Sequence, residues 1–385
     1  MQRPVAGNED WGANWSREGF ADQSVRQVVR VTGGGSQLRI RLSNAYGATP
    51  LRIAGASVGR SAGEAQVWPG SVRDVSFGGG RSATIKPGRD LVSDAVELRT
   101  SPLEKLTITL YFADPTGPAT FHRYTTATSY RASGRHLGDS DPGAFKESTN
   151  AWYFLSGVEV SGVEVSGAAS APRGTVVVFG DSLVDGTGAT DGADDRFTDK
   201  LSERLIAARR PLDVVNAGIA GNRILNDSPC FGDKALDRFR RDVLDRPGVR
   251  SVIIHLGAND IGAPEMGDPC MGAAPRVSAA QIIDAHKKLI RAAHARGVKA
   301  VGATILPMKG ALFPLYSERG EKVRNTVNHW IRTSGAYDSV LDSARALADP
   351  RDAALPRPGY VFRDGLHPDE AGAHAVASAV EIDQL

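Results

Sequence analysis

Apolar and polar residues alternate along the first third of the chain. Val25-Arg26-Gln27-Val28-Val29-Arg30-Val31 runs into Gly33-Gly34-Gly35 and resumes as Leu38-Arg39-Ile40-Arg41-Leu42. A period-two pattern around a glycine turn predicts a hairpin. Shorter runs of the same kind follow at 51–53, 83–85, 95–98 and 106–112, with turn residues between them. Many short strands without a helical stretch predict an all-β sandwich, jelly-roll-like, over residues 1–135. Residues 136–172 are rich in Gly, Ser, Asp and Ala and repeat Gly157-Val158-Glu159-Val160-Ser161 as Gly162-Val163-Glu164-Val165-Ser166. Two copies of five residues are too few for a solenoid, so this stretch is read as an extended, strand-prone connector.

The pattern changes after Arg173. Thr175-Val176-Val177-Val178-Phe179 is continuously apolar, as a strand buried on both faces should be. A helix carrying Phe197, Leu201 and Leu205 follows, then strands at 212–215 and 251–256. A helix over 279–295 presents Ile282, Ile283, Leu289 and Ile290, and a strand over 298–306 leads to a helix over 318–333 with Val323, Val327 and Trp330. A short strand ends at Val340-Leu341, and a last helix begins near Asp369. Strand–helix alternation predicts a parallel α/β sheet over 173–385 with helices on both faces. Chemistry in such sheets gathers at the carboxyl ends of the strands.

Composition narrows the function classes. Lys and Arg number 46 against 44 Asp and Glu, a formal net charge of +2, without the basic excess of a general nucleic-acid-binding surface. No apolar run approaches the ~20 residues of a membrane-spanning helix. Met1-Gln2-Arg3-Pro4 has no apolar signal region, so either no signal peptide exists or one has been removed. The two cysteines, Cys230 and Cys270, lie in Gly/Asp/Pro-rich loops. They are either unrelated thiols or one disulfide. A lone loop pair favours the disulfide and an exported protein, with closure worth up to about 4 kcal/mol.

Four loops at strand ends carry candidate chemistry. Gly180-Asp181-Ser182-Leu183 places a serine on a strand-to-helix turn, a nucleophile position as well as an ordinary helix cap. In Asn216-Ala217-Gly218-Ile219-Ala220-Gly221-Asn222 a glycine can turn its N–H toward a ligand. Gly257-Ala258-Asn259-Asp260 offers an amide that can donate to an oxyanion, or form an Asx-turn. In Asp364-Gly365-Leu366-His367-Pro368 the carboxylate can hold the imidazole in the tautomer that accepts a serine proton. Together they supply a nucleophile, oxyanion donors and a base with its orienter, the set that acyl transfer requires.

These four ordered blocks resemble the SGNH (GDSL-type) hydrolases. The resemblance implies a flavodoxin-like three-layer α/β/α catalytic domain over 173–385. It implies Ser182, Asp364 and His367 as catalytic residues, and Ser182, Gly221 and Asn259 as the oxyanion hole. It implies no cofactor and no metal. The two-domain layout, with 25–42 and 324–332, is also similar to an exported bacterial branch of xylan-esterase-like proteins. The activity implied is hydrolysis of short acyl esters, including acetyl esters of carbohydrate, by a secreted enzyme. A lipase- or phospholipase-like acyl hydrolase is the alternative, with 307–316 as an apolar groove, and an acyltransferase using the same triad is a third reading.

Other features weigh less. Gly55-Ala56-Ser57-Val58-Gly59 matches the Gly-x-Ser-x-Gly elbow but lacks a following helix. His255 is read as a core or supporting histidine, and His286, His294 and His374 as structural ones. Trp11, Trp15 and Trp68 are read as packing residues, with sugar stacking as the alternative.

Overall fold

The computed structural model describes residues 1–8, 12–162 and 173–385. The chain divides into two compact units, Met1–Ala171 and Pro172–Leu385.

The first unit is β-rich. A seven-stranded antiparallel sheet runs in the order Glu147–Thr149, Ser129–Ser133, Gln23–Arg30, Lys105–Phe112, Gly55–Gly63 and Gln66–Val67, with Arg73–Val75 also on Gly55–Gly63. A four-stranded sheet places Gly35–Ser43 between Leu155–Ser161 and Asp90–Val92, with Val96–Thr100 also paired to Gly35–Ser43. The expected hairpin at 25–42 is therefore not formed, because its two strands belong to different sheets. Local turn chemistry loses to a better partner: all eight residues of Gln23–Arg30 find register with Lys105–Phe112. The stretch read as a connector carries three strands up to Ser161, and the first copy of its repeat is a strand against Gly35–Ser43. The rest of the second copy, and Trp11, lie outside the described residues. Trp15 is buried and stacks on Tyr153 at 5.4 Å, whereas Trp68 is exposed. Ser57 is buried inside a strand and donates to the Leu137 carbonyl at 2.6 Å, so the elbow-like motif presents no nucleophile.

The second unit holds a five-stranded parallel sheet in the order Leu212–Gly218, Gly174–Gly180, Val249–His255, Lys299–Ala303 and Ser339–Leu341. Its core is built from the continuously apolar strands and from helix faces such as Phe197, Leu201 and Leu205. Helix Ala279–His294 starts at a capping box formed by Ser278 and Gln281, and helix Glu318–Thr333 starts at Ser317. The strands preceding the first three candidate loops are adjacent. Gly180 is in register with Gly218 on one side and His255 on the other. Adjacent strands are ~4.8 Å apart, so these loops emerge side by side.

One buried group predicts an acid response. His286 on helix Ala279–His294 is fully buried. Its Nε2–H donates to the Leu256 carbonyl at 3.3 Å, and its Nδ1 accepts from the Tyr337 hydroxyl at 2.5 Å. Burial lowers its pKa to about 4, with the Leu256 bond opposing. The folded imidazole stays neutral while the unfolded chain protonates below ~6.5, so stability is lost as the pH falls from there through about 4. Asp260, pushed up to about 6 mainly by burial, titrates in the opposite sense over part of that window. The difference between wild type and His286→Gln isolates the histidine. Melting between pH 7 and 4 is expected to show a drop on the order of 3 kcal/mol steeper in wild type. Parallel curves would refute this.

Candidate active site

Ser182 opens the short helix Ser182–Asp185 directly after strand Gly174–Gly180, and Asp181 caps the turn. Gly180 permits the sharp turn, since a Cβ there would meet Val184 Cγ2 at 2.3 Å and the His255 carbonyl oxygen at 2.7 Å. Ser182 is half-buried. His367 Nε2 lies 2.8 Å from Ser182 Oγ, and His367 Nδ1 lies 2.7 Å from Asp364 Oδ2. An ionised carboxylate only accepts, so Nδ1 carries the proton. Nε2 is then left to accept from the serine hydroxyl.

The loop bearing His367 is fixed by its own backbone. Asp364 Oδ1 accepts from the N–H groups of Leu366 at 2.9 Å and His367 at 3.0 Å. Burial pushes the Asp364 carboxyl up, but its bonds to His367 and to these amides outweigh that and hold it below its ordinary value. Immediately afterwards Asp369 caps helix Glu370–Ser378 through the Gly372 N–H at 3.0 Å. The imidazole therefore hangs between a capped helix and a carboxylate-pinned turn.

The second and third loops are bound to each other. The Asn259 side chain donates to the Asn222 carbonyl at 3.2 Å. Asp260 accepts from the N–H groups of Ile224 at 2.8 Å and Leu225 at 3.0 Å, and Asp185 accepts from Ala220 N–H at 2.7 Å. Gly221 lies between these anchors with φ +73°. A Cβ at Gly221 would meet the Phe231 ring at 2.4 Å. Ser182, His367 and Asp364 are thus joined directly, while Gly221 and Asn259 are tied through Asn222.

Two supporting arginines escaped the sequence reading. Arg238 is buried and donates to the carbonyls of Gly180 and Ala217, both at 2.8 Å, and to Asn222 Oδ1 at 2.9 Å. Its guanidinium also lies 4.1 Å from the Phe179 ring centroid. One side chain thus joins two strand ends to the Gly221 loop, and nothing in its sequence context announces it. Buried Arg223 donates to Ser228 Oγ at 3.1 Å and to the carbonyls of Met271 at 2.6 Å and Ala273 at 2.9 Å. It fastens the loops that the Cys230–Cys270 disulfide also joins. His255, expected as a core or supporting histidine, is buried with its Nδ1 3.3 Å from Asp181 Oδ1, next to Ser182 in sequence. His255 Nε2 and Asp181 Oδ2 are buried without a hydrogen-bond partner.

Among the described residues no group of three His, Cys, Asp or Glu side chains is arranged to hold a metal ion, and no helix is long and apolar enough to cross a membrane.

Three solved structures illustrate the likeness to known proteins. An aryl esterase from M. smegmatis is 19% identical, covers 54% of this chain and 96% of its own, and has a TM-score of 0.41. An alpha/beta hydrolase enzyme from the metagenome of Lake Arreo, Spain, is 19% identical over 56% of this chain and 96% of its own, TM-score 0.42. A GDSL-like lipase from Bacteroides thetaiotaomicron is 17% identical over 56% and 92%, TM-score 0.39. No curated protein matches the chain. The model of the GDSL-like lipase/acylhydrolase family matches residues 178–375, a span holding all four loops, and the chain belongs to that family of esterases.

Proposed function

We propose that the protein is a serine-dependent carboxylic-ester hydrolase that works through an acyl-enzyme on Ser182. The observation that carries this reading is the hydrogen-bonded line from Ser182 Oγ through His367 to Asp364. In this mechanism His367 Nε2 takes the Ser182 proton as Oγ attacks the ester carbonyl carbon. The carbonyl oxygen becomes an oxyanion held by the N–H of Ser182, the N–H of Gly221 and an N–H of Asn259. The Asn259 amide has two N–H groups, and the one bound to Asn222 orients the other. The C–O bond then breaks, His367 returns the proton to the departing alcohol, and water repeats the cycle to release the acid. Asp364 keeps Nδ1 protonated throughout.

Esters of short acyl groups are the first substrates we assign. The strand order of the five-stranded sheet supports a flavodoxin-like, three-layer catalytic domain, and the seven- and four-stranded sheets of the first unit support a jelly-roll-like sandwich. We place the functional boundary near residue 173. The Cys230–Cys270 disulfide supports an exported enzyme.

The test has two arms. A fluorophosphonate, which reacts only with activated serines, is expected to label one peptide, the one containing Ser182. Initial rates on 4-nitrophenyl esters from acetate to palmitate are expected to fall steeply beyond butyrate. A maximum at long chains would transfer the protein to the lipase-like class. Turnover that depends on an added alcohol would make it an acyltransferase. Labelling at a different serine would overturn the mechanism.

A further inference from the structure

Four large apolar side chains stand exposed among the described residues: Trp68, Leu312, Phe313 and Phe362. Three of them belong to the catalytic unit, and all three attach to the loop that carries His367. The Phe313 ring meets the His367 imidazole edge-on, with centroids 6.4 Å apart. Leu312 donates its N–H to the Asp364 carbonyl at 2.8 Å, and Phe362 donates its own to the His367 carbonyl at 2.7 Å. Leu312 is 75% exposed, Phe313 43% and Phe362 40%. The 307–316 segment is not loose, because Met308 and Leu315 are buried on either side of the exposed pair. Folding thus holds apolar surface in water beside the imidazole, an arrangement that marks a contact site.

The chemistry of the tetrahedral intermediate says which part of an ester meets this surface. The central carbon carries four groups: Ser182 Oγ, the oxyanion, the acyl chain and the alcohol oxygen. The oxyanion points to its N–H donors. The alcohol oxygen must come within hydrogen-bond reach of His367 Nε2, since that nitrogen protonates it. The substituent on that oxygen then runs past the imidazole.

We propose that Leu312 and Phe313, with Phe362 beside them, form an apolar platform for the alcohol portion of the substrate, and that the enzyme selects esters of apolar alcohols. This rests on the Ser182–His367 reading above. It also gives the 307–316 segment a role different from the long-acyl groove expected from sequence. Arg363 lies 5.2 Å from the Phe362 ring centroid and covers one of its faces, which leaves Leu312 and Phe313 as the main contact.

The test uses two ester series on the full chain. Alkyl acetates from ethyl to octyl vary the alcohol at nearly constant leaving-group acidity. Ethyl esters from acetate to octanoate vary the acyl group. In wild type, kcat/KM is expected to rise ~10-fold from ethyl to hexyl acetate. Leu312→Ser and Phe313→Ser should each flatten that rise several-fold, Leu312→Met should keep it, and the slope of the acyl series should not change. Three results would overturn the platform. Variants that slow every ester by one factor would mean that Phe313 only positions His367. A changed acyl slope would place the surface on the other side of the scissile bond. A wild-type preference for acetylated sugars over hexyl acetate would show that the alcohol is polar. Failure of the underlying reading is separate: it is seen when Ser182→Ala still hydrolyses ethyl acetate, whatever the slopes.

Discussion

Replacing Ser182 with alanine is expected to lower kcat for 4-nitrophenyl acetate by at least ~10⁴-fold and leave the protein folded. The substitution removes Oγ, the atom 2.8 Å from His367 Nε2, and with it the covalent route. It leaves the backbone N–H at that position, so weak oxyanion stabilisation survives. Little structure depends on the hydroxyl. The turn is capped by Asp181 through the Leu183 N–H and closed by backbone bonds from Gly186 and Thr187 to the Ser182 carbonyl. A melting temperature within a few degrees of wild type is therefore the expected companion result. A variant that kept more than about one hundredth of the activity would place the nucleophile elsewhere.

The second large effect concerns the proposed oxyanion donors. Asn259→Ala removes a side-chain N–H and should cost ~10²–10³ in kcat with little change in KM, because the donor is needed where charge develops. Gly221→Ala should match it by a different route. A residue at φ +73° with a Cβ 2.4 Å from the Phe231 ring cannot sit where the glycine sits, so its N–H moves. This variant should also lose ~1–3 kcal/mol of stability, which Asn259→Ala should not match, since the amide's one structural bond is to Asn222. Steady-state kinetics and melting on both variants separate the two. A kcat within threefold of wild type in Asn259→Ala would falsify its role.

The stability of these positions rests on parts far apart in the chain. Arg238 reads the strand ends at Gly180 and Ala217 and the Asn222 side chain at once. Arg223 and the disulfide join the loop after Gly221 to the loop that follows Asn259. A buried arginine with several carbonyl partners is a fixed strut, because losing any partner leaves an unpaired donor in a dry interior.

The α/β reading of residues 173–385 came from sequence because buried parallel strands and amphipathic helices leave strong local periodicities. The four loops were legible for a related reason. Chemistry requires particular residue types, and the strand-then-helix context fixes where they emerge. The Asp364–His367 bond was accessible because the pair stands only three positions apart. The β-rich unit was harder. Its short strands were visible as alternation, but partner choice was not, and Gln23–Arg30 pairs with Lys105–Phe112 instead of its neighbour in sequence. Strand pairing is a competition among distant segments, and a local glycine turn is only one term in it. Tertiary structure alone decided the meeting of Ser182 with His367 across 185 positions, the struts Arg223 and Arg238, the siting of Phe313 against the imidazole and the tie of Leu312 to the Asp364 carbonyl. Those contacts depend on where chain segments pack in space, a quantity that residue spacing along the chain does not carry.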